Sequence, residues 1–332
     1  MDSLTHIVLG AAIGEVTLGK KIGNKALLYG AFLGTIPDLD VFITPFLNPV
    51  SSLFFHRGIS HSLLFLVFIA PIVGWILSKI EKKHSIELKE WILFSLFPLL
   101  SHIFIDCFNT YGTGIFEPFS NIRIAYDTMA IIDFIFLAPL TIAVIWVMFY
   151  QKQDRIRRII MWIGLGLSTA YFFFTIVNKI DIELKIKKQL ASSNIQYNRL
   201  LTTPAPLSNF LWLIVAENDN GYNIGYYYPI KNNDVKFNFQ ARNSELLDSL
   251  LEDKNLLNLL RFTKGFYIVE KDISGSLWLY DIRYCGLDFE DTNSHVFSFK
   301  LKQNLTSVDI SRAHPNRKIN LKTIINYFAK VF

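Results

Sequence analysis

Cysteine is nearly absent from this 332-residue chain: Cys107 and Cys285 are the only two. They allow one disulfide at most and form no metal-type pair, which excludes a disulfide framework and a thiolate zinc site and leaves two inert thiols as the plain reading. Charge is scarce too, at 18% of residues, where soluble domains carry roughly a quarter. The formal charge of +5 comes without a basic stripe, so nucleic acid is not expected as a partner; an anionic membrane surface suits it better. The N-terminus lacks a basic n-region and a clean small-residue cleavage site, so no cleaved signal peptide is expected.

Apolar residues, by contrast, make up 51%. Up to about Val177 they fall in long blocks, and afterwards they alternate with polar ones. This change of pattern predicts an α-helical membrane bundle of about six segments followed by a small C-terminal α+β domain with an antiparallel sheet. The expected divisions are 1–180 for the membrane part, 181–209 for an amphipathic juxtamembrane helix and linker, and 210–332 for the α+β domain.

Crossing a bilayer as a helix takes roughly 20 apolar residues. Ser62 to Ser78, Phe134 to Tyr150 and Ile159 to Asn178 qualify, and Trp91 to Ile105 makes a fourth. Two earlier stretches are short or broken. Leu4 to Leu18 carries His6 and Glu15, and Ala26 to Ile36 stops at Pro37, which cannot continue the hydrogen-bond ladder. Lys and Arg concentrate in alternate loops: Lys20, Lys21 and Lys25; Lys79, Lys82, Lys83 and Lys89; Lys152, Arg155, Arg157 and Arg158. The positive-inside rule places these loops in the cytoplasm and both termini outside. Lys185, Lys187 and Lys188 oppose that assignment, and the juxtamembrane helix accounts for them.

Beyond Asn178, Leu200 to Asn209 reads as a Pro-containing linker. Asn218-Asp219-Asn220-Gly221 between two β-like runs is a hairpin signal. Val235 to Phe239, Leu277 to Ile282 and Val296 to Leu301 alternate with period two, and Ser244 to Leu260 places Leu at helical spacing behind a Ser cap. His295 and His314 stand alone and read as ordinary histidines. Asn304-Leu305-Thr306 is a glycosylation sequon only in a host that glycosylates secreted proteins.

Four of the seven histidines lie in the membrane part beside acids. They are His6, His56, His61 and His102, with Asp38, Asp40 and Asp106. Ionisable groups are costly in a membrane, so their presence there points to function. His102 and Asp106 share a helical face. At about 1.5 Å per residue, Lys20 to His6, Lys25 to Asp38 and Glu90 to His102 each span roughly 18 to 21 Å, and Lys79 to His61 roughly 27 Å. Four segments thus lift their His or Asp to a similar height above the basic loops. Imidazole and carboxylate suit zinc first, with manganese or iron as the others, and the surplus of donors allows one or two ions. Such an ion brings water to a pKa near 7. Asp40 or Asp106 is then a candidate base, and Arg57 a partner for a phosphate oxygen. Singly, each has a plainer reading: a helix hydrogen bond for His102 and Asp106, a cap for Asp38, an interface marker for Arg57. Glu117, Asp127 and Asp133 read as structural, with Asp127 the accessory candidate.

Thr5-His6, Pro37-Asp38-Leu39-Asp40, His56-Arg57-Gly58-Ile59-Ser60-His61-Ser62 and His102…Asp106 resemble, in order and spacing, the bacterial inner-membrane metal-dependent hydrolases, also described as LexA-binding membrane-associated hydrolases. The resemblance covers roughly the first 180 residues; Ser60 stands where that family commonly has Thr. It implies a metal-dependent activity at the inner membrane. The expected function is hydrolysis of an ester or phosphoester, lipid phosphoesters included, near the outer leaflet. The metal ligands expected are His6, Asp38, Asp40, His56, His61, His102 and Asp106. A metal-handling transporter and a regulator-binding adaptor are the rival classes; no inverted repeat is visible for the first, and short cytoplasmic loops disfavour the second.

Overall fold

The computed structural model describes residues 1–286, 295–303, 308–313 and 327. His314 and the Asn304-Leu305-Thr306 sequon lie outside the described residues. The chain packs as two units. One comprises Met1–Phe46, Phe55–Tyr126 and Ile131–Thr175; the other comprises Leu47–Phe54, Asp127–Ala130 and Ile176–Phe332.

The first unit is helical. Helix α1 (Ser3–Ile22) starts at Asp2, whose carboxylate accepts from the Thr5 amide, and ends at Gly23. There a positive φ of 62° turns the chain into α2 (Asn24–Thr35). The break foreseen at Pro37 is present: a 3-10 helix, Ile36–Phe42, replaces the α-helix there. Helix α3 (Pro49–Phe55) belongs largely to the other unit. Then come α4 (Leu63–Ile80), capped by the Ser62 hydroxyl, α5 (Leu88–Asp106) and α6 (Phe134–Val147). Leu18, Leu33, Leu66, Trp91, Phe94 and Leu99 form its buried core. Many residues outside that core are large, apolar and exposed, among them Val67, Trp75 and Ile145, a distribution that suits a hydrocarbon solvent.

Four stretches are long and apolar enough to cross a membrane: Asn24–Phe46, Leu63–Ile80, Leu88–Asp106 and Arg155–Ser192. The count of six expected from the sequence is not reached on this measure. Helix α6 has 14 residues, short for a span, and α1 carries Glu15, Lys20 and Lys21. The three basic loops meet at one end of this unit. Lys21 pairs with Glu90, Lys25 pairs with Glu81, and the Lys152 Nζ donates to the Lys21 carbonyl at 3.1 Å.

Helix α7 (Arg155–Ser192) runs 38 residues without a break. Its last turns carry Ile182, Ile186 and Leu190, and this stripe packs on Trp212, Ile214 and Ala216. The amphipathic helix expected after the last span therefore lays its apolar face on a sheet. The stretch read as a linker, Leu200 to Asn209, instead begins in strand β1 (Arg199–Pro204). In place of one sheet there are two, each four-stranded and antiparallel: β1 to β4 and β5 to β8 in sequential order. The first contains β2 (Trp212–Asn218), β3 (Gly221–Tyr227) and β4 (Asn238–Ala241). The Asn218–Gly221 hairpin closes as expected. The second contains β5 (Tyr267–Lys271), β6 (Leu277–Cys285), β7 (His295–Gln303) and β8 (Val308–Ala313). Alternate residues of β2 face opposite ways: Leu213 and Val215 join Phe266, Ile268 and Ile282, while Trp212 and Ile214 meet α7. The helix expected over Ser244 to Leu260 is divided into a 3-10 helix, Ser244–Leu250, and α8 (Lys254–Phe262). Asp253 caps α8 by accepting from the amides of Asn255 and Leu256, and Ser244 caps nothing.

Candidate metal centre

Two helices supply the floor of the site because glycines let them touch. Gly10 and Gly14 of α1 face Gly30 and Gly34 of α2; a Cβ on Gly10 would lie 2.4 Å from the Gly30 carbonyl oxygen, and one on Gly34 2.4 Å from the His6 carbonyl oxygen. Such small-residue contacts are a common way for membrane helices to approach closely. They set His6 beside the α2 C-terminus. The 3-10 turn that follows then presents Asp38 and Asp40, both buried.

Asp38, His61, His102 and Asp106 are buried, and each offers a ligand atom within 4.8 Å of all the others. His61 Nε2 lies 3.0 Å from His102 Nε2, 3.4 Å from Asp38 Oδ1 and 3.4 Å from Asp106 Oδ2. His102 Nε2 lies 3.5 Å from each of the same two oxygens. Four donors about 2.0–2.1 Å from one tetrahedral ion stand roughly 3.3–3.4 Å apart. Five of the six edges measured here are close to that length.

The ring nitrogens facing away support the same reading. His102 Nδ1 donates to the Gly34 carbonyl at 2.6 Å, which leaves Nε2 with its lone pair toward the centre. That carbonyl is free because Pro37, three residues on, has no N–H to give it. His61 Nδ1 lies 2.9 Å from the Ser60 hydroxyl. Asp106 Oδ2 is buried with no hydrogen bond from a described residue. A buried, unsatisfied carboxylate oxygen facing two imidazoles is costly unless a cation meets it. Two imidazoles and two carboxylates fit zinc, manganese or iron.

The other expected ligands stand beside these four and outside the group of four. The His6 ring stacks on His102 with centroids 3.5 Å apart, its Nε2 is 3.2 Å from Asp106 Oδ1, and neither ring nitrogen has a hydrogen bond among the described residues. Asp40 lies one layer outward. It accepts from the Ser60 hydroxyl at 2.6 Å and the Arg57 amide at 3.2 Å, and its Oδ1 is 2.9 Å from His56 Nδ1. His56 is the most open of the set, with 26% of its side chain exposed. Arg57 occupies the left-handed region at φ 60° and turns its guanidinium inward. Nε is 3.4 Å from Asp106 Oδ2, Nη1 donates to Asn109 Oδ1 at 2.7 Å, and Nη2 donates to the Met1 carbonyl at 3.0 Å. The expected partner for a substrate phosphate is thus a buried support for Asp106.

Glu117 is 3.9 Å from Arg123, Asp133 caps α6 and accepts from the Tyr171 hydroxyl at 2.9 Å, and Asp127 belongs to the second unit. Both cysteines are free and buried, and burial pushes the Cys285 thiol up to about 12. Gly34, Ser60 and Asn109 are contributors that pattern reading passed over. The four-residue spacing of Gly10 and Gly14, and of Ala26, Gly30 and Gly34, was the available signal for the first; nothing local marks the other two.

The family model described as YdjM inner membrane protein matches residues 1–181, and this agrees with the resemblance seen in the motifs. The chain is 32% identical over 198 residues to "Uncharacterized protein YfhP" of Bacillus subtilis (strain 168), covering 57% of this chain and 58% of that one. It is 33% identical over 113 residues to "Inner membrane protein YbcI" of Escherichia coli (strain K12), covering 34% of this chain and 63% of that one. The chain therefore spans about three fifths of the length of each relative. Neither name states an activity. No solved structure matches the chain.

Proposed function

The chain belongs to the YdjM inner membrane protein family, and from that premise we propose that it is a membrane-bound, metal-dependent hydrolase of esters or phosphoesters, lipid phosphoesters among them. The observation that carries this reading is the convergence of Asp38, His61, His102 and Asp106 from three separate segments at near-tetrahedral spacing. A divalent transition ion there supplies an acidified water and polarises the ester oxygen. Zinc is the first choice, and His6 is the donor placed to serve a fifth position or a second ion.

The protein's own groups have distinct tasks in this reading. Gly34 and Ser60 hold the two imidazoles in the tautomer that turns Nε2 inward. Arg57 and Asn109 fix Asp106. His56, oriented through Nδ1 by Asp40 and partly open, moves the proton between water and leaving group. The basic loops lie at the opposite end of the helical unit, so the positive-inside rule assigns the site and the sheet-bearing unit to the extracytoplasmic side. Leu39, Phe42, Ile43 and Phe46, exposed beside Asp38 and Asp40, suit a substrate that arrives from the bilayer.

The test is metal content of detergent-solubilised protein by elemental mass spectrometry, wild type against His61→Ala, followed by a screen of lipid phosphoesters. About one or two equivalents of transition metal in the wild type, lost in the variant along with turnover, are expected. Metal-replete His61→Ala protein with full turnover would overturn the assignment. Metal-dependent uptake into proteoliposomes without turnover would replace it with transport.

A further inference from the structure

At the end of the helical unit far from the metal centre, Arg155, Arg158, Ile159, Trp162 and Ile163 of α7 line a shallow groove of about 450 Å³. Spacings of three and four residues put them along one helical face. Their neighbour Arg157 points elsewhere: it is buried and its fork grips Glu15 through two contacts of 2.6 Å. Arg155 and Arg158 are exposed and make no ion pair or hydrogen bond to a described residue. The first turn of α7 holds no acid, and the adjacent Asp154 accepts from the Gln151 amide at 2.9 Å. Two uncompensated guanidinium groups thus border one end of the groove, suited to bidentate contact with phosphate.

The rest of the groove is apolar and open. Ile159, Trp162 and Ile163 are 42%, 62% and 56% exposed, on a helix with the length and hydropathy of a membrane span. A free phosphate has no use for that half, and a neutral lipid has none for the arginines. Trp beside Arg at a span terminus is also the composition of a membrane–water interface. We propose that this groove binds an anionic phospholipid, its phosphate between Arg155 and Arg158 and an acyl chain along Ile159, Trp162 and Ile163. The site is separate from the metal centre and does not rest on the hydrolase reading.

Native mass spectrometry of the full-length protein, offered equal phosphatidylglycerol and phosphatidylcholine of matched chains, tests this. Two basic contacts predict a preference of roughly tenfold for the anionic lipid. Arg155→Gln/Arg158→Gln should bring it to parity with the melting temperature unchanged, and His61→Ala should leave it intact. Trp162→Ala reads the apolar half separately and should lower retention several-fold (roughly) through lost contact area. A wild type without preference overturns the proposal. So does a double variant that keeps the preference, or displacement of the lipid by inorganic phosphate and glycerophosphate as effective as the long-chain lipid itself.

Discussion

His102 owes its orientation to one backbone carbonyl, that of Gly34, and His61 owes its orientation to Ser60 and, behind it, to Asp40. Groups that orient ligands influence affinity without touching the ion. Asp40→Asn, which keeps the shape and removes the charge, is therefore expected to weaken metal binding by roughly 10- to 100-fold. Competition with a chelator measures this, and unchanged affinity would show that Asp40 does not organise the centre. His56→Ala should behave differently. Metal content stays at the wild-type level, while kcat falls by roughly 10²–10⁴-fold as expected for loss of a proton-transfer group; steady-state kinetics on whichever phosphoester is turned over decides it.

Elements come together here through small residues and one buried ion pair. The contact of α1 with α2 leaves no room for a methyl group at Gly34. Gly34→Ala should lower stability by roughly 1–3 kcal/mol through overpacking and displace His6 and the carbonyl that holds His102. A thermal melt and the metal content read both effects. Gly166, also in a membrane helix, has nothing within 4 Å of its would-be Cβ, so Gly166→Ala is the matched control and should not destabilise. At the basic end, Glu15 and Arg157 link α1 to α7 in a buried, bidentate pair. Glu15→Gln leaves the guanidinium buried and uncompensated. The expected loss is about 3–5 kcal/mol, typical of removing one partner of such a pair, and the same melt measures it.

At the scale of the molecule, the helical unit turns apolar residues outward while the sheet unit buries them, as bilayer and water respectively demand. The sheet unit also carries a pH-sensitive position. His295 opens β7, stacks on Tyr280 at 4.6 Å, and burial pulls its pKa from 6.5 down to about 4. Below about pH 6.5 the unfolded chain takes up a proton that the folded strand refuses until about pH 4. Its contribution is therefore complete above pH 6.5, is lost as the pH falls between those values, and levels off below pH 4. Hydrogen exchange of the β6 and β7 amides in the full-length protein should accelerate across that window, beyond its intrinsic pH dependence. His295→Gln should flatten the trend.

Apolar block length and Pro37 were enough to foretell α2 with its 3-10 break, α4, α5 and α6, because a helix in lipid is dictated by its own run of residues. The spacing of His102 and Asp106, and the shared height of His6, Asp38, His61 and His102 above the basic loops, likewise made the membership of the site legible. Tertiary structure alone separated Asp38, His61, His102 and Asp106, whose donors converge, from Asp40 and His56 beside them. It also turned Arg57 inward, joined the last span to the sheet unit as one helix, and divided the expected single sheet into two. Each of those outcomes depends on contacts between residues far apart in the chain: Gly34 with His102, Arg57 with Asn109, Ile186 with Ile214. Periodicity records which face of an element is apolar, but not which partner will cover it.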